Sequence, residues 1–174
     1  MVVDIGLAAV PILMIGNTGP HDSLIKQKPT RHLLSFLPLF SVISFLFFQT
    51  MCYIGVWFYV QAQDWFEPYQ FVAGLWPPNS SYEQTNIFLL SCAAATIAAI
   101  VFSKGAPYRK PLYTNKIMGL WTIAAVAVTI FMSFYDTEDF RTRLNMKIAP
   151  SYEYKLVFLF VMIGNFLFCY IWEV

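Results

Sequence analysis

Four long apolar runs, separated by short polar segments, dominate this sequence of 174 residues. Lys, Arg, Asp and Glu are all missing from residues 33–63, 84–103, 117–135 and 156–172. A helix needs about 20 apolar residues to cross a hydrocarbon core about 30 Å thick, so each run predicts a transmembrane helix. We place these four helices at residues 36–60, 85–103, 117–135 and 155–172.

A fifth apolar stretch at the start of the chain is shorter and contains one acid. Residues 2–15 are apolar apart from Asp4, and these 14 residues span roughly 21 Å as a helix, less than the hydrocarbon core. The stretch lacks the basic start of a signal peptide. It predicts a partial transmembrane helix over residues 1–16, followed by a four-helix transmembrane region over residues 17–174. The expected fold class is therefore an all-α membrane protein with a truncated helix plus four transmembrane helices.

The composition agrees with a membrane protein and argues against a nucleic-acid partner. Hydrophobic residues make up 58% of the chain and charged residues only 12%, whereas soluble domains carry about a quarter charged residues. The net charge of +1 provides no global field that would attract a polyanion. We expect membrane lipids, and no nucleic acid, among the partners.

The basic residues predict the orientation of the helices. Seven Lys and Arg residues lie in residues 17–32 and 104–116, against four in the loops on the opposite side. Because cytosolic loops carry the excess of Lys and Arg, we expect these two loops and the C-terminus in the cytosol, and residues 61–84 in the lumen. Asn79 begins an Asn-Ser-Ser sequon and would then be a lumenal glycosylation site.

Three cations in the loop at residues 104–116 are candidate contacts for anionic lipid headgroups: Lys104, Arg109 and Lys110. The alternative, that these residues only determine topology, stays open at this point.

No catalytic or metal site is expected in the chain. Cys52, Cys92 and Cys169 lie singly in separate apolar runs, and His21 and His32 have no Cys or Glu cluster beside them. The sequence has no Gly-rich phosphate loop and no pairing of a nucleophile with a base. We therefore expect no cofactor in this chain.

Asp4 is the candidate for a functional residue within the apolar segments. A carboxylate at membrane depth is costly and is a functional hypothesis by default. The alternative, that Asp4 pairs with a neighbouring helix or lies at membrane depth only because the stretch is short, also stays open.

Four sequence segments resemble one family of membrane pumps. Residues 103–115 (SKGAPYRKPLYTN) are very similar to the short cytosolic loop between the eighth and ninth membrane helices of the subgroup B, type-five P-type ATPases. These are the polyamine-transporting pumps of late endosomes, lysosomes and vacuoles. Residues 2–20 resemble the family's sixth membrane helix, although Pro11 departs from its pattern. Residues 62–68 and 81–85 resemble its lumenal segments after the seventh helix and before the eighth.

The resemblance implies most of helix six plus helices seven to ten of such a pump. It also implies that Asp4 matches an aspartate on the polyamine pathway, so we expect Asp4 to contact a polyamine or another cation. The full-length pump would use ATP and Mg, with the other helices and the cytosolic domains as partners. The Asp-Lys-Thr-Gly-Thr phosphorylation sequence of the family is absent, so the chain alone should be inactive.

Two other interpretations remain at the level of sequence. The chain could be an independent small multi-span membrane scaffold, or a partner subunit, derived from such a pump. It could also be a partial gene model.

Overall fold

The computed structural model describes five helices over their whole length. The described part of the chain comprises residues 6, 10–11, 13–14, 16–21, 35–70, 80–103, 108–111 and 114–173. The helices are α1 (Phe36–Gln61), α2 (Tyr82–Val101), α3 (Lys116–Phe134), α4 (Glu138–Leu144) and α5 (Tyr152–Glu173). Helices α1, α2, α3 and α5 are long and apolar enough to cross a membrane. The expected all-α membrane fold with four spanning helices is confirmed.

The ends of the helices differ from the prediction by up to three residues, for local reasons. The Ser81 hydroxyl accepts a hydrogen bond of 3.1 Å from the Gln84 N–H. This N-cap starts α2 at Tyr82, three residues earlier than expected. Helix α4 was not expected at all. It ends at Leu144, and the φ of 51° at the following Asn145 is the left-handed conformation common after the last turn of a helix.

Helix α2 lies at the centre of the bundle. It contacts α1, α3 and α5. In an apolar stretch of 18 residues, 56% of the α2 residues are buried, whereas the share is 17–28% in the corresponding stretches of the other three spanning helices. Small side chains allow neighbouring backbones to approach closely in lipid. Of the small residues on α2, Ala93, Ala94 and Ala99 are buried.

The outer surface of the bundle is apolar. Large hydrophobic side chains on α1, α3 and α5 are exposed, for example Phe47, Leu120, Ile123, Phe160 and Ile171. Exposed apolar surface on this scale is typical of helices that face lipid.

Successive spanning helices run in opposite directions, so the loops collect at two ends. Residues 62–70 and 135–151 lie at one end, which we call the Trp65 end. At this end the Trp65 ring meets the rings of Tyr82 and Tyr154, with centroids 4.9 and 5.1 Å apart. Residues 102–103, 108–111 and 114–115 lie at the other end, which we call the Asn115 end.

A pair of amides joins α1 to α5 near the middle of the bundle. Asn165 Nδ2 donates a hydrogen bond of 2.9 Å to Gln49 Oε1, and Gln49 Nε2 donates one of 3.4 Å to Asn165 Oδ1. Gln49 Nε2 also lies 3.6 Å from the Sγ atom of Cys169. Gln49 is buried, and polar pairs of this kind hold helices together in lipid.

We expect Asn165→Leu to lower the free energy of unfolding by about 1–2 kcal/mol, because buried Gln49 then loses its partner. Unfolding in mixed detergent micelles measures the loss. Gly164→Ala is the matched control, since a Cβ at Gly164 would meet no atom of a neighbouring helix within 4 Å among the described residues. If Asn165→Leu were as stable as the unsubstituted chain, the amide pair would have no stabilising role.

Candidate functional site

A short backbone bridge joins the N-terminal segment (residues 1–21) to the loop between α2 and α3 at the Asn115 end. Residues 19–21 and 108–110 run antiparallel, with Pro20 opposite Arg109. Two backbone hydrogen bonds of 3.0 and 3.2 Å flank this pair, one on each side. Pro20 and Arg109 themselves form a non-hydrogen-bonded pair, in which neither residue donates its N–H to the other strand. Proline has no N–H, so it can occupy this position without loss of a hydrogen bond. The Gly19-Pro20 sequence is therefore compatible with the bridge.

The Asn115 side chain provides a second connection between the same two segments. Its Nδ2 atom donates to the Met14 carbonyl at 2.9 Å and lies 3.4 Å from Thr18 Oγ1. Its Oδ1 atom accepts a hydrogen bond of 3.2 Å from the Met118 N–H, which makes Asn115 the N-cap of α3. Only 7% of Asn115 is exposed. One buried side chain thus caps α3 and also binds the N-terminal segment.

The N-terminal segment runs alongside α3. Its backbone is helical at the described residues Gly6, Val10, Pro11, Leu13 and Met14. Trp121 Nε1 donates a hydrogen bond of 3.4 Å to the Gly6 carbonyl. Because Gly6 precedes Met14 while Trp121 follows Asn115, the segment is antiparallel to α3.

The structure brings together the two sequence ranges that most resemble the pump family, residues 2–20 and residues 103–115. Within the second range, Arg109 is exposed and Lys110 is half-buried, with the Lys110 N–H in the bridge. Asp4, Asn79 and Lys104 lie outside the described residues, so their roles stay predictions. The division into residues 1–16 and 17–174 also stays a prediction.

Asn115 was not among the expected site residues. A signal for its capping role was present, because an Asn directly before a long apolar run is a common helix start. Its bond to Met14, 101 positions away in the sequence, has no such local signal.

A second polar cluster lies at the Trp65 end. Lys147 Nζ donates a hydrogen bond of 2.5 Å to Glu67 Oε2 and lies 4.5 Å from the centre of the Tyr82 ring. The Lys147 backbone N–H donates to Thr85 Oγ1 at 2.8 Å. The cluster joins the other two family-like ranges, residues 62–68 and 81–85. Sequence reasoning missed it because Lys147 lies far from both in the chain.

Ion pairs shift the pKa of three groups at this end. The hydrogen bond from Lys147, together with its charge, holds the pKa of Glu67 below its ordinary value. The hydrogen bond between Arg141 and Asp136 likewise lowers the pKa of the Asp136 carboxyl and raises the pKa of Arg141. Both carboxylates are on the surface, where an ion pair is screened by water and salt.

We expect Lys147→Met to raise the pKa of Glu67 toward the ordinary value of about 4.3. The folded-state pKa of Glu67 is depressed, so the stability that the pair contributes is present above about pH 4.3 and is lost as the pH falls through the folded-state pKa. Carbon-detected NMR titration of labelled glutamate measures the pKa directly. Lys155→Met is the matched control and should leave it unchanged. An unaltered Glu67 pKa in Lys147→Met would contradict the observed pair.

Among the residues that the structure describes, no three His, Cys, Asp or Glu side chains are close enough to hold a metal ion. Cys52, Cys92 and Cys169, all within the described residues, form no disulfide bond.

The four spanning helices and their polar ends define an α-helical, multi-pass membrane protein. The chain is 30% identical to the probable cation-transporting ATPase catp-6 of Caenorhabditis elegans over 168 residues, which cover 92% of this chain and 13% of that protein. It is 33% identical to the human polyamine-transporting ATPase 13A2 over 115 residues, or 66% of this chain and 10% of that protein. With the human polyamine-transporting ATPase 13A3 it shares 26% identity over 94% of this chain and 15% of that protein. No protein-family model matches the chain.

The chain is thus a homologue of the type 5, 13A family of P-type ATPases and corresponds to a small part of its members. The resemblance found in the sequence is confirmed. The chain spans only 10–15% of the length of the three relatives named above.

Proposed function

We propose that the chain is the C-terminal membrane region of an ATP-driven pump that moves polyamines or other cations across an endomembrane. The relatives named cation-transporting and polyamine-transporting ATPases support this assignment. The observation that carries it is the junction at the Asn115 end. There, residues from the two ranges most similar to the family meet through a backbone bridge and through Asn115.

The proposal divides the chain into a transport segment and a support bundle. Helices α1, α2, α3 and α5 brace the pump, in keeping with the absence of charged residues from their apolar runs. Asp4, in the N-terminal segment, is the residue that contacts the polyamine. ATP and Mg act on a cytosolic domain outside this sequence, and its phosphorylation rearranges the helices and releases the cargo into the cytosol.

The proposed compartment is the late endosome, lysosome or vacuole, with the C-terminus in the cytosol. Lys104, Arg109 and Lys110 lie at the cytosolic surface in this orientation. A cation near an anionic leaflet gains roughly 1 kcal/mol. We assign these residues first to the control of topology, and contact with lipid headgroups is their second role.

We expect residues 61–84 to be lumenal and residues 17–32 and 104–116 to be cytosolic, because of the partition of Lys and Arg. Single cysteines at Gln63 and Tyr108, in a chain whose three native cysteines are replaced, should react with a membrane-impermeant maleimide from opposite faces of sealed vesicles. Detergent-opened vesicles, in which both sites should react, are the control. Labelling of position 108 from the lumenal face would contradict the orientation. A glycan on Asn79, lost in Asn79→Gln, would give independent support.

The pump assignment is tested with a chimaera in which this chain replaces the homologous segment of human polyamine-transporting ATPase 13A2. We expect the chimaera to hydrolyse ATP faster when spermine is added, and to form a phosphoenzyme. The same chimaera without its phosphorylated aspartate is the control for background hydrolysis. A chimaera that reaches the membrane and forms the phosphoenzyme, but gains no turnover from spermine or other cations, would overturn the assignment.

A further inference from the structure

The two halves of the Asn115 amide face different parts of the molecule. The oxygen faces the start of α3, where it accepts the Met118 N–H. The NH2 group faces the N-terminal segment, where it donates to the Met14 carbonyl. Met14 ends the described helical residues, and carbonyls in the last turn of a helix lack partners within that helix. The Met14 carbonyl also accepts a hydrogen bond of 3.1 Å from the Asn17 N–H, so Asn115 supplies a second donor to this carbonyl at the end of the helical residues.

The other contacts of the N-terminal segment reach the same block of structure. The bridge of residues 19–21 involves residues 108–110, and the Gly6 carbonyl is bound by Trp121 of α3. Helix α3 packs in turn on α2 and α5. The described connections thus run from the N-terminal segment to residues 108–110, to Asn115 at the start of α3, and to Trp121 within α3. Of these, the connection through Asn115 is the buried one.

We propose that Asn115 is a positioning residue that holds the N-terminal segment in one register along α3. Loss of its NH2 group releases the segment while α3 remains capped. The consequence for transport rests on the proposed function, because the same segment carries Asp4. In a pump, a shift of this segment along α3 changes how the cargo is bound, and phosphorylation of the distant cytosolic domain is unaffected.

Two substitutions separate the positioning role from the capping role. Asn115→Asp keeps an oxygen that can cap α3, since Asp and Asn are equally good N-caps. It replaces the NH2 group with a second acceptor, which repels the Met14 carbonyl. Asn115→Ala removes both functions. Ser81→Asp is the matched control, because it places an acid at the N-cap of α2, and the hydroxyl of Ser81 makes its described bond within that helix.

Hydrogen–deuterium exchange of the whole chain in lipid nanodiscs gives the first measurement. In Asn115→Asp we expect the amides of His21 and Lys110 to exchange roughly fivefold faster, the effect of losing about one net hydrogen bond. The amides in the first turn of α3 should keep the rate of the unsubstituted chain. Asn115→Ala should accelerate both groups, and Ser81→Asp neither. If Asn115→Asp left residues 16–21 unchanged, or accelerated the start of α3 as much as Asn115→Ala, the positioning role would be wrong.

The 13A2 chimaera gives the second measurement. There, Asn115→Asp should raise the spermine concentration for half-maximal turnover severalfold while phosphoenzyme formation stays intact. Equal losses in Asn115→Asp and Ser81→Asp would overturn the positioning role. An unsubstituted chimaera that spermine does not stimulate overturns the proposed function instead, and the exchange result for Asn115 then stands by itself.

Discussion

In a full-length pump that carries this chain, we expect Asp4→Asn to weaken the apparent affinity for spermine roughly 30-fold or more. Asn has nearly the same shape as Asp but no charge. A polycation that leaves water needs fixed negative groups, and loss of one partner from a buried charge pair costs about 2–5 kcal/mol. ATP hydrolysis measured against spermine concentration gives the affinity.

Asp64→Asn is the matched control for Asp4→Asn. Asp64 is exposed in the loop after α1, where an ionic contact is screened and contributes at most about 1 kcal/mol. Expression and phosphoenzyme formation should be equal in the two variants. If Asp4→Asn matched the unsubstituted pump in both affinity and maximal rate, Asp4 would have a structural role only.

The spanning helices were predictable because the signal is local and repeated. A run without charged residues that is as long as the hydrocarbon core has few stable alternatives to a helix. The start of α2 was less predictable, since the choice between Tyr82 and Thr85 depends on one hydrogen bond from Gln84 to Ser81. The hydropathy pattern of the sequence does not indicate the position of a single N-cap such as Ser81.

The contacts at the two ends could not be predicted from the sequence. Asn115 and Met14 are 101 residues apart, and Lys147 and Glu67 are 80 residues apart. Such pairs depend on which helices are neighbours, and the apolar runs do not specify that order. The resemblance to a pump family indicated that residues 103–115 form a loop. It gave no reason to connect that loop to the N-terminal segment.

The amide pair in the middle of the bundle could not be predicted from the sequence either. Gln49 and Asn165 both lie within apolar runs that the sequence marks only as spans. A polar side chain inside a span signals that a partner exists, but the partner's position follows from the packing of α1 against α5.

Tyr154, at the Trp65 end, gives the prediction with the largest effect on stability. Only 3% of Tyr154 is exposed, and its ring lies 5.3 Å from the ring of Tyr59 and 5.1 Å from that of Trp65. We expect Tyr154→Ala to lower the free energy of unfolding by about 3–5 kcal/mol, because it leaves a cavity among these rings. Unfolding in mixed detergent micelles measures the change, and Phe160→Ala, at an exposed position of the same helix, is the control with little effect.

Tyr154→Phe should behave in the opposite way, with a stability equal to or above that of the unsubstituted chain. The Tyr154 hydroxyl is buried without a hydrogen-bond partner among the described residues, and an unpaired buried hydroxyl costs about 1–3 kcal/mol. Removing it keeps the ring contacts and eliminates that cost. If Tyr154→Phe were as destabilising as Tyr154→Ala, the hydroxyl would have an essential partner. Packing of the rings would then not be sufficient to explain why Trp65 and its loop are held against the bundle.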